Sequence, residues 1–328
     1  MTEQRFLALR EESWNQFEIL LRLQKKEFQK HAASFPTMLR SLIGDLNAAR
    51  ANGFDPSIID RLNRLALDGN HILCSARKLS LSPLLEFFTH TLPQSVRLHW
   101  RSFCACCFLF YAVAAFAAFL CIYKPSFAAG FLGRKNMANL DDMYNKNSHY
   151  YLKPRDVTTD ADMFGYYIYN NISITFQTFA GGVFAGIGSI FFLTANALFF
   201  GSAVGYIINK GLGETFFSFV SGHSALELTG LVLSSQAGLI LGYSLFVTKG
   251  VSRSASFRTA GKSAFPLLAG AAVFDFLAAI IEAFWSSKHT IPATIHYIFG
   301  AALWILLVCY FLFCGRKNYR STAAAWPS

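Results

Sequence analysis

Between Asn170 and Asn209 lie 40 consecutive residues without a charged side chain. That is about twice the length a helix needs to cross roughly 30 Å of hydrocarbon. Lys210 and Glu214 interrupt the run. A second apolar stretch follows, and its opening turn reads His223-Ser-Ala-Leu-Glu227. Four residues apart, the His and the Glu share one helical face. A chain with such segments has to bury them in a bilayer, and the composition agrees. Hydrophobic residues make up 53% of 328 and charged residues only 15%, with a mean hydropathy of +0.35, whereas soluble domains carry about 25% charged residues.

Gly181-Gly182 and Gly186-Ile-Gly188 fall near the middle of the long run, which predicts two helices near 172–188 and 190–209. Ser102–Tyr123 is uncharged and forms the clearest span, and further spans are expected near 224–247, 264–284 and 293–313 by length. Charge parity supports the count of about six. The 248–263 connection carries Lys249, Arg253, Arg258 and Lys262 without an acid, and the 315–328 tail carries Arg316, Lys317 and Arg320. Two helices within 170–209 put both basic segments on the side of the amino terminus, as the positive-inside rule expects. A pair of half-length re-entrant helices remains an alternative.

Residues 1–98 read as a cytoplasmic helical domain. The start, MTEQRFLALREESW, lacks the apolar core of a signal peptide. Trp14, Phe17, Leu21 and Phe28 mark one amphipathic helix, and Phe35-Pro36 separates it from a second with Leu39, Leu42, Ile43 and Leu46. Asn52-Gly53 ends the second. Asp55-Pro56 then supplies a cap and a first-turn proline for a third helix with Ile58, Leu62 and Leu65, running to about Lys78. Arg97, His99, Trp100 and Arg101 form a basic-aromatic membrane boundary ahead of the 99–123 span.

The 124–169 connection mixes both charges with Tyr144, Tyr150, Tyr151, Tyr166, Tyr167 and Tyr169, and is expected to be an ordered extracytoplasmic cap. Residues 170–314 then form a five-span bundle. The net charge of +10 sits in segments flanking apolar runs, which argues against nucleic-acid binding. Cys104, Cys106 and Cys107 lie in an apolar helix without nearby acids, so packing is expected of them rather than metal ligation. No disulfide framework is implied.

Two patterns could carry function. Gly182/Gly186, Gly201/Gly205 and Gly238/Gly242 give GxxxG spacing in three successive spans, an arrangement that lets helix backbones approach closely. The second is an intramembrane polar set: Asn196, His223, Glu227, Gln236, Asp275, Glu282 and His296. A charged side chain at a helix centre costs about 2.5–3.5 kcal/mol on insertion scales, so such groups pair or line a wet cavity. Interhelical hydrogen bonding is the favoured role of Asn196 and Gln236. For His223, Glu227 and Asp275 an ion path and a structural role both stay open. His223 and Glu227 offer two metal ligands that Asp275 or His296 could complete. No HExxH or GxSxG signature is present, however, so no metal, cofactor or catalytic residue is assigned and enzymatic activity is not favoured.

Residues 163–284 resemble the stage II sporulation protein M family. The resemblance is carried by MFGYYIYNNISITFQTFAGGVFAGIGS, FFLTANALFFGSAVGYI, FVSGHSALELTGLVLSSQAGLILG, the Arg253 region and IIEAF, and most specifically by His223–Glu227 and the pair Asn170–Asn171. SLIGDLNAARANG, IIDRLNRLALDGNHIL and LPQSVRLHWRSF are similar to longer members. Ala197, Ser224 and Thr248-Lys249 depart from the pattern at turn or packing positions. The resemblance implies a polytopic bacterial inner-membrane protein, and the count of six spans from length and charge parity puts both termini in the cytoplasm. Relatives of this longer type are often encoded near MoxR-type ATPases, so a partner of that kind is implied by resemblance only. The leading expectation is a non-enzymatic component of a membrane assembly that recruits a protein partner, with homo-oligomerisation left open. The alternatives are a transporter or channel using the polar set, and an intramembrane metal-dependent hydrolase.

Overall fold

Apolar side chains at helical spacing build the first three elements. Helix α1 (Glu3–Arg22) buries Phe6, Trp14, Phe17 and Leu20. Leu20 therefore takes the inner position expected of Leu21, which is half-buried beside it. Helix α2 (Phe35–Ala51) has its proline in the first turn and buries Phe35, Leu39, Leu42 and Leu46. Gly53, at φ +65°, turns the chain after it; only glycine adopts that conformation without strain. Helix α3 (Pro56–Ala76) starts where the Asp55 carboxylate accepts the Ser57 N–H at 2.7 Å. Trp14 Nε1 donates to the buried Asp45 carboxylate at 2.9 Å, so the core contains a satisfied polar pair.

The computed structural model describes residues 2–22, 34–76, 81–152, 156–248 and 250–316. Phe28, Lys78, Lys153, Arg155, Lys249, Lys317 and Arg320, with the side chains of Cys74 and Tyr150, lie outside the described residues. Two compact units divide the chain, Met1–Pro83 and Leu84–Ser328. No strand occurs among the described residues, and the fold is all-α.

Residues Leu84–Leu98, read from sequence with the amino-terminal segment, pack with the second unit. Helix α4 (Ser82–Glu86) passes through a wide turn at Phe87–Thr91 into α5 (Leu92–Leu98). Leu92 and Val96 share a core with Ala225, Leu233 and Leu267. Arg97 Nη1 donates to the Phe311 carbonyl at 2.9 Å, and Gln94 Nε2 to that of Gly315 at 3.0 Å.

The bundle then comprises α6 (Trp100–Tyr123), α7 (Ser126–Tyr144), α8 (His149–Leu152), α9 (Val157–Ala180), α10 (Ile187–Asn209), α11 (Gly213–Ser221), α12 (Ser224–Tyr243), α13 (Arg253–Ile281) and α14 (Ala293–Phe313). A wide turn at Glu282–Ser286 continues α13. Helices α7, α8 and the start of α9 occupy the connection expected to be a cap. The 40-residue run divides at its glycines: a short 3-10 turn at Gly181–Val183 and Gly186 at φ +83° reverse the chain. The first helix of the pair is displaced from the expected 172–188, ending at Ala180 and starting at Val157.

Among the described residues, five helices are long and apolar enough to cross a membrane: α6, α10, α12, α13 with its wide turn, and α14. The sixth span expected from the sequence, α9, is not among them. Asp160 and Asp162 lie in its first turns, and Tyr167, Asn171, Thr175 and Thr178 form a buried face at intervals of four, four and three. That face turns inward, against α12 and α13. Helix α12 is the most enclosed, with 78% of its apolar window buried against 17% for α14. Phe108, Phe116, Phe119, Ile305 and Leu306 of α6 and α14 are widely exposed, a surface suited to lipid and costly in water.

The glycines mark where backbones meet. A Cβ on Gly201 or Gly205 would overlap the backbone of Ala114 or Ala118 on α6, and one on Gly182 would overlap Gly238. Gly242 lies as close to Gly186.

Helix α9 begins at an aspartate cap. Asp156 accepts from the Thr159 N–H at 2.7 Å and from Thr158 Oγ1 at 2.9 Å. Hydrogen bonds from Thr159 first, then Thr158, hold its carboxyl down at about 2. A depressed value stabilises the fold above the ordinary carboxylate range, and the effect is lost as pH falls through about 2. Asp156→Ala is expected to lower the melting temperature in detergent at pH 7, with the gap from the parent closing between about pH 4 and pH 2. A gap of the same size at pH 2 would show that the ionised cap is not its source.

Candidate functional site

Seven helices, α6, α7 and α9 to α13, contribute to one interior cavity of about 250 Å³, lined by Asn170, Asn171, Asn196, His223, Glu227, Asp275 and Glu282 among other residues. Of the nine polar residues named from the sequence, Gln236 and His296 are absent from its wall. The remaining lining is largely aromatic and aliphatic, including Phe110, Phe199, Phe216 and Phe219.

Each wall has a local cause. Helix α9 presents Asn171 and Thr175 four residues apart, on the same face. Asn170 Nδ2 donates to Asn171 Oδ1 at 3.1 Å, while Asn171 Nδ2, on a residue 4% exposed, has no partner among the described residues. Asn196 on α10 gives its side-chain N–H to the Phe192 carbonyl one turn back, at 2.8 Å. Its role is therefore partly intrahelical, whereas an interhelical bond was expected. Gln236 lies elsewhere and donates to the His99 carbonyl at 3.1 Å.

Asp275 is buried in α13. Thr175 Oγ1 donates to its Oδ2 at 2.5 Å, and Ser234 Oγ donates to the Thr175 carbonyl. Three helices are thus joined through one threonine. Gly230 makes this approach possible, because a Cβ there would lie 2.5 Å from Asp275 Oδ1.

His223 precedes the first residue of α12. Its Nε2 lies 3.8 Å from Glu227 Oε2 and 4.0 Å from Glu282 Oε1. Its Nδ1 is 3.1 Å from Ser286 Oγ, a contact created by the wide turn after α13. The sequence suggested Asp275 or His296 as the third ligand-type group beside His223 and Glu227. The structure places Glu282 there instead, because the wide turn brings the end of α13 against the start of α12.

His296 lines a neighbouring pocket of about 220 Å³ with Lys146, Glu214, Ser286, Lys288 and His289. Phe219 lines both spaces, and Ser286 reaches His223 from the second. Lys146 and Glu214 pair at 2.9 Å on its rim; the Glu214 carboxylate raises the lysine above its ordinary value. Lys288 and Asp160 pair at 2.6 Å, joining the start of α9 to the segment after α13.

Thr175 and Ser286 were missed in the sequence. The inward spacing of Tyr167, Asn171, Thr175 and Thr178 could have exposed the first. Ser286 had no comparable signal, since its role depends on the wide turn.

Apolar helices packed around a buried polar cavity define a multi-pass membrane protein. The family model described as Stage II sporulation protein M matches residues 104–287, and the chain belongs to that family. The match contains every residue of the His223–Glu227–Glu282 group and stops before His296 and α14. A second model, described as a domain of unknown function (DUF8413), matches residues 4–74, within the amino-terminal unit. No curated protein and no solved structure matches the chain.

Proposed function

We propose that this membrane protein admits a small polar or cationic species into its bundle, as a transporter or channel does. The carrying observation is that seven of the nine polar residues named from the sequence line one cavity, where purely structural groups would be dispersed among separate helix contacts. Intramembrane ionisable groups that share a cavity are the usual marks of a solute or ion path. The neighbouring pocket behind Phe219 and Ser286 supplies an access chamber. In this reading α9 is a sixth crossing whose polar face lines the path, both termini are cytoplasmic, and the membrane is the bacterial inner membrane that the family resemblance implies.

Reconstituted into proteoliposomes, the protein is expected to pass protons, sodium or divalent cations. His223→Ala and Asp275→Asn are each expected to reduce that flux at least about tenfold, the effect of losing roughly 1.4 kcal/mol of stabilisation. Unchanged flux in both variants, or none from the parent protein, would remove the transport reading.

A second reading has its own observation, the separate core of Met1–Pro83. There the amino-terminal unit recruits a protein partner, of the MoxR-type ATPase class if the resemblance extends that far, and the bundle anchors the assembly. Stoichiometric partners recovered in mild detergent would support it; a protein recovered alone under several conditions would count against it.

A further inference from the structure

Within the cavity three ligand-type side chains converge. His223 Nε2, a Glu227 oxygen and a Glu282 oxygen all lie within 4.8 Å of one another. The two His–Glu separations, 3.8 and 4.0 Å, are too long for hydrogen bonds. They are slightly wider than the roughly 3.4 Å between ligands around a tetrahedral zinc with bonds near 2.0–2.2 Å. Small side-chain rotations would close that difference. The other ring nitrogen of His223 is held by Ser286 Oγ, the outer contact that orients a metal-binding imidazole.

Charge points the same way. Glu227, Asp275 and Glu282 bring three carboxyl groups to the cavity, and among the described residues no lysine or arginine lines it. Carboxyl groups gathered in a low-dielectric interior disfavour one another's charge, and a bound cation relieves that. Asn171 adds an independent sign of a ligand: its buried side-chain nitrogen has no partner among the described residues, and Asn171 lines the same space. An oxygen on a bound species, or on water carried with it, would satisfy that donor.

We propose that His223, Glu227 and Glu282 bind a divalent transition-metal ion, with Ser286 as the residue that positions His223. One imidazole and two carboxylates suit zinc, iron(II) or manganese better than the all-oxygen sites of magnesium and calcium. The inference rests on reading the cavity as a binding site for a small species, and binding is measured separately from flux.

The test uses the full-length protein in mild detergent, stripped with chelator and dialysed against zinc or manganese alone. Metal content is read by mass spectrometry and affinity by calorimetry. One ion per chain is expected, with little competition from magnesium or calcium. His223→Ala and Glu282→Gln should lose stoichiometric binding. Ser286→Ala should keep it with affinity weakened about 10- to 100-fold, while His296→Ala should bind as the parent does. Size-exclusion and melting profiles identify variants that remain folded, and the conservative Glu282→Gln keeps the test decisive if His223→Ala does not fold. A folded parent that binds neither ion, or folded Glu282→Gln that binds with parental affinity, would overturn the site. Metal binding without flux sustains the site and removes the transport reading. Flux without metal binding removes the site alone.

Discussion

Gly201→Leu is expected to destabilise the bundle by about 3 kcal/mol or more, at or beyond the upper end of ordinary overpacking costs. A Cβ at Gly201 would already overlap the Ala114 backbone, and one turn later Gly205 meets Ala118 in the same way. Backbone atoms cannot rotate aside as a side chain can. The leucine must therefore separate α6 from α10 and loosen the shared core of Cys106, Phe110, Ala114, Leu193 and Ala197. Gly261→Leu is the control, because nothing lies within 4 Å of a Cβ there; its effect should stay within about 0.5 kcal/mol. Detergent unfolding followed by tryptophan fluorescence separates the two. A Gly201→Leu protein that melts with the parent would mean α6 and α10 do not pack through this glycine.

Trp14→Ala is expected to unfold the amino-terminal unit. Trp14 is 1% exposed, and its ring lies 5.6 Å from that of Phe6. Truncating a buried tryptophan costs about 3–5 kcal/mol. The change also removes the indole donor of the buried Asp45, leaving that carboxylate with Arg10 at 3.4 Å; an unsatisfied buried acceptor adds roughly 1–3 kcal/mol. A unit of this length holds roughly 4–12 kcal/mol in total, so most of its stability goes. Limited proteolysis should cut within the first 83 residues of the variant while Leu67→Ala, at a position 61% exposed, resists as the parent does. If this unit recruits a partner, co-purification should be lost with Trp14→Ala and kept with Leu67→Ala. Equal protease resistance in the two variants would contradict the core assigned here.

The legible parts of the fold were those set by neighbours in sequence. Apolar runs marked α6, α10, α12, α13 and α14 because hydrocarbon transfer energy accumulates over one continuous helix. Gly186, at φ +83°, marked the reversal between α9 and α10, since glycine enters the left-handed region without steric cost, and Gly181 and Gly182 sit where backbones meet Gly188 and Gly238. Helix α9 was the exception. The sequence placed it near 172–188 by the absence of charge, whereas the helix runs Val157–Ala180 with Tyr167, Asn171, Thr175 and Thr178 turned inward.

For the candidate site, the residue types and the His223–Glu227 spacing were visible because both lie on one turn of one helix. Their assembly was not. Glu282 joins them from another helix through a wide turn that no residue pattern announced, and Thr175 reaches Asp275 across 100 residues of chain. His296 had the same chemical promise and faces a different pocket. The sequence by itself determined an all-α membrane protein, its apolar helices and the list of groups able to do chemistry, because those follow from local periodicity and the cost of placing polar atoms in lipid. Only the tertiary structure decided which groups share a cavity, because that depends on how helices distant in sequence pack, and on glycines such as Gly230 that let them come close enough to meet.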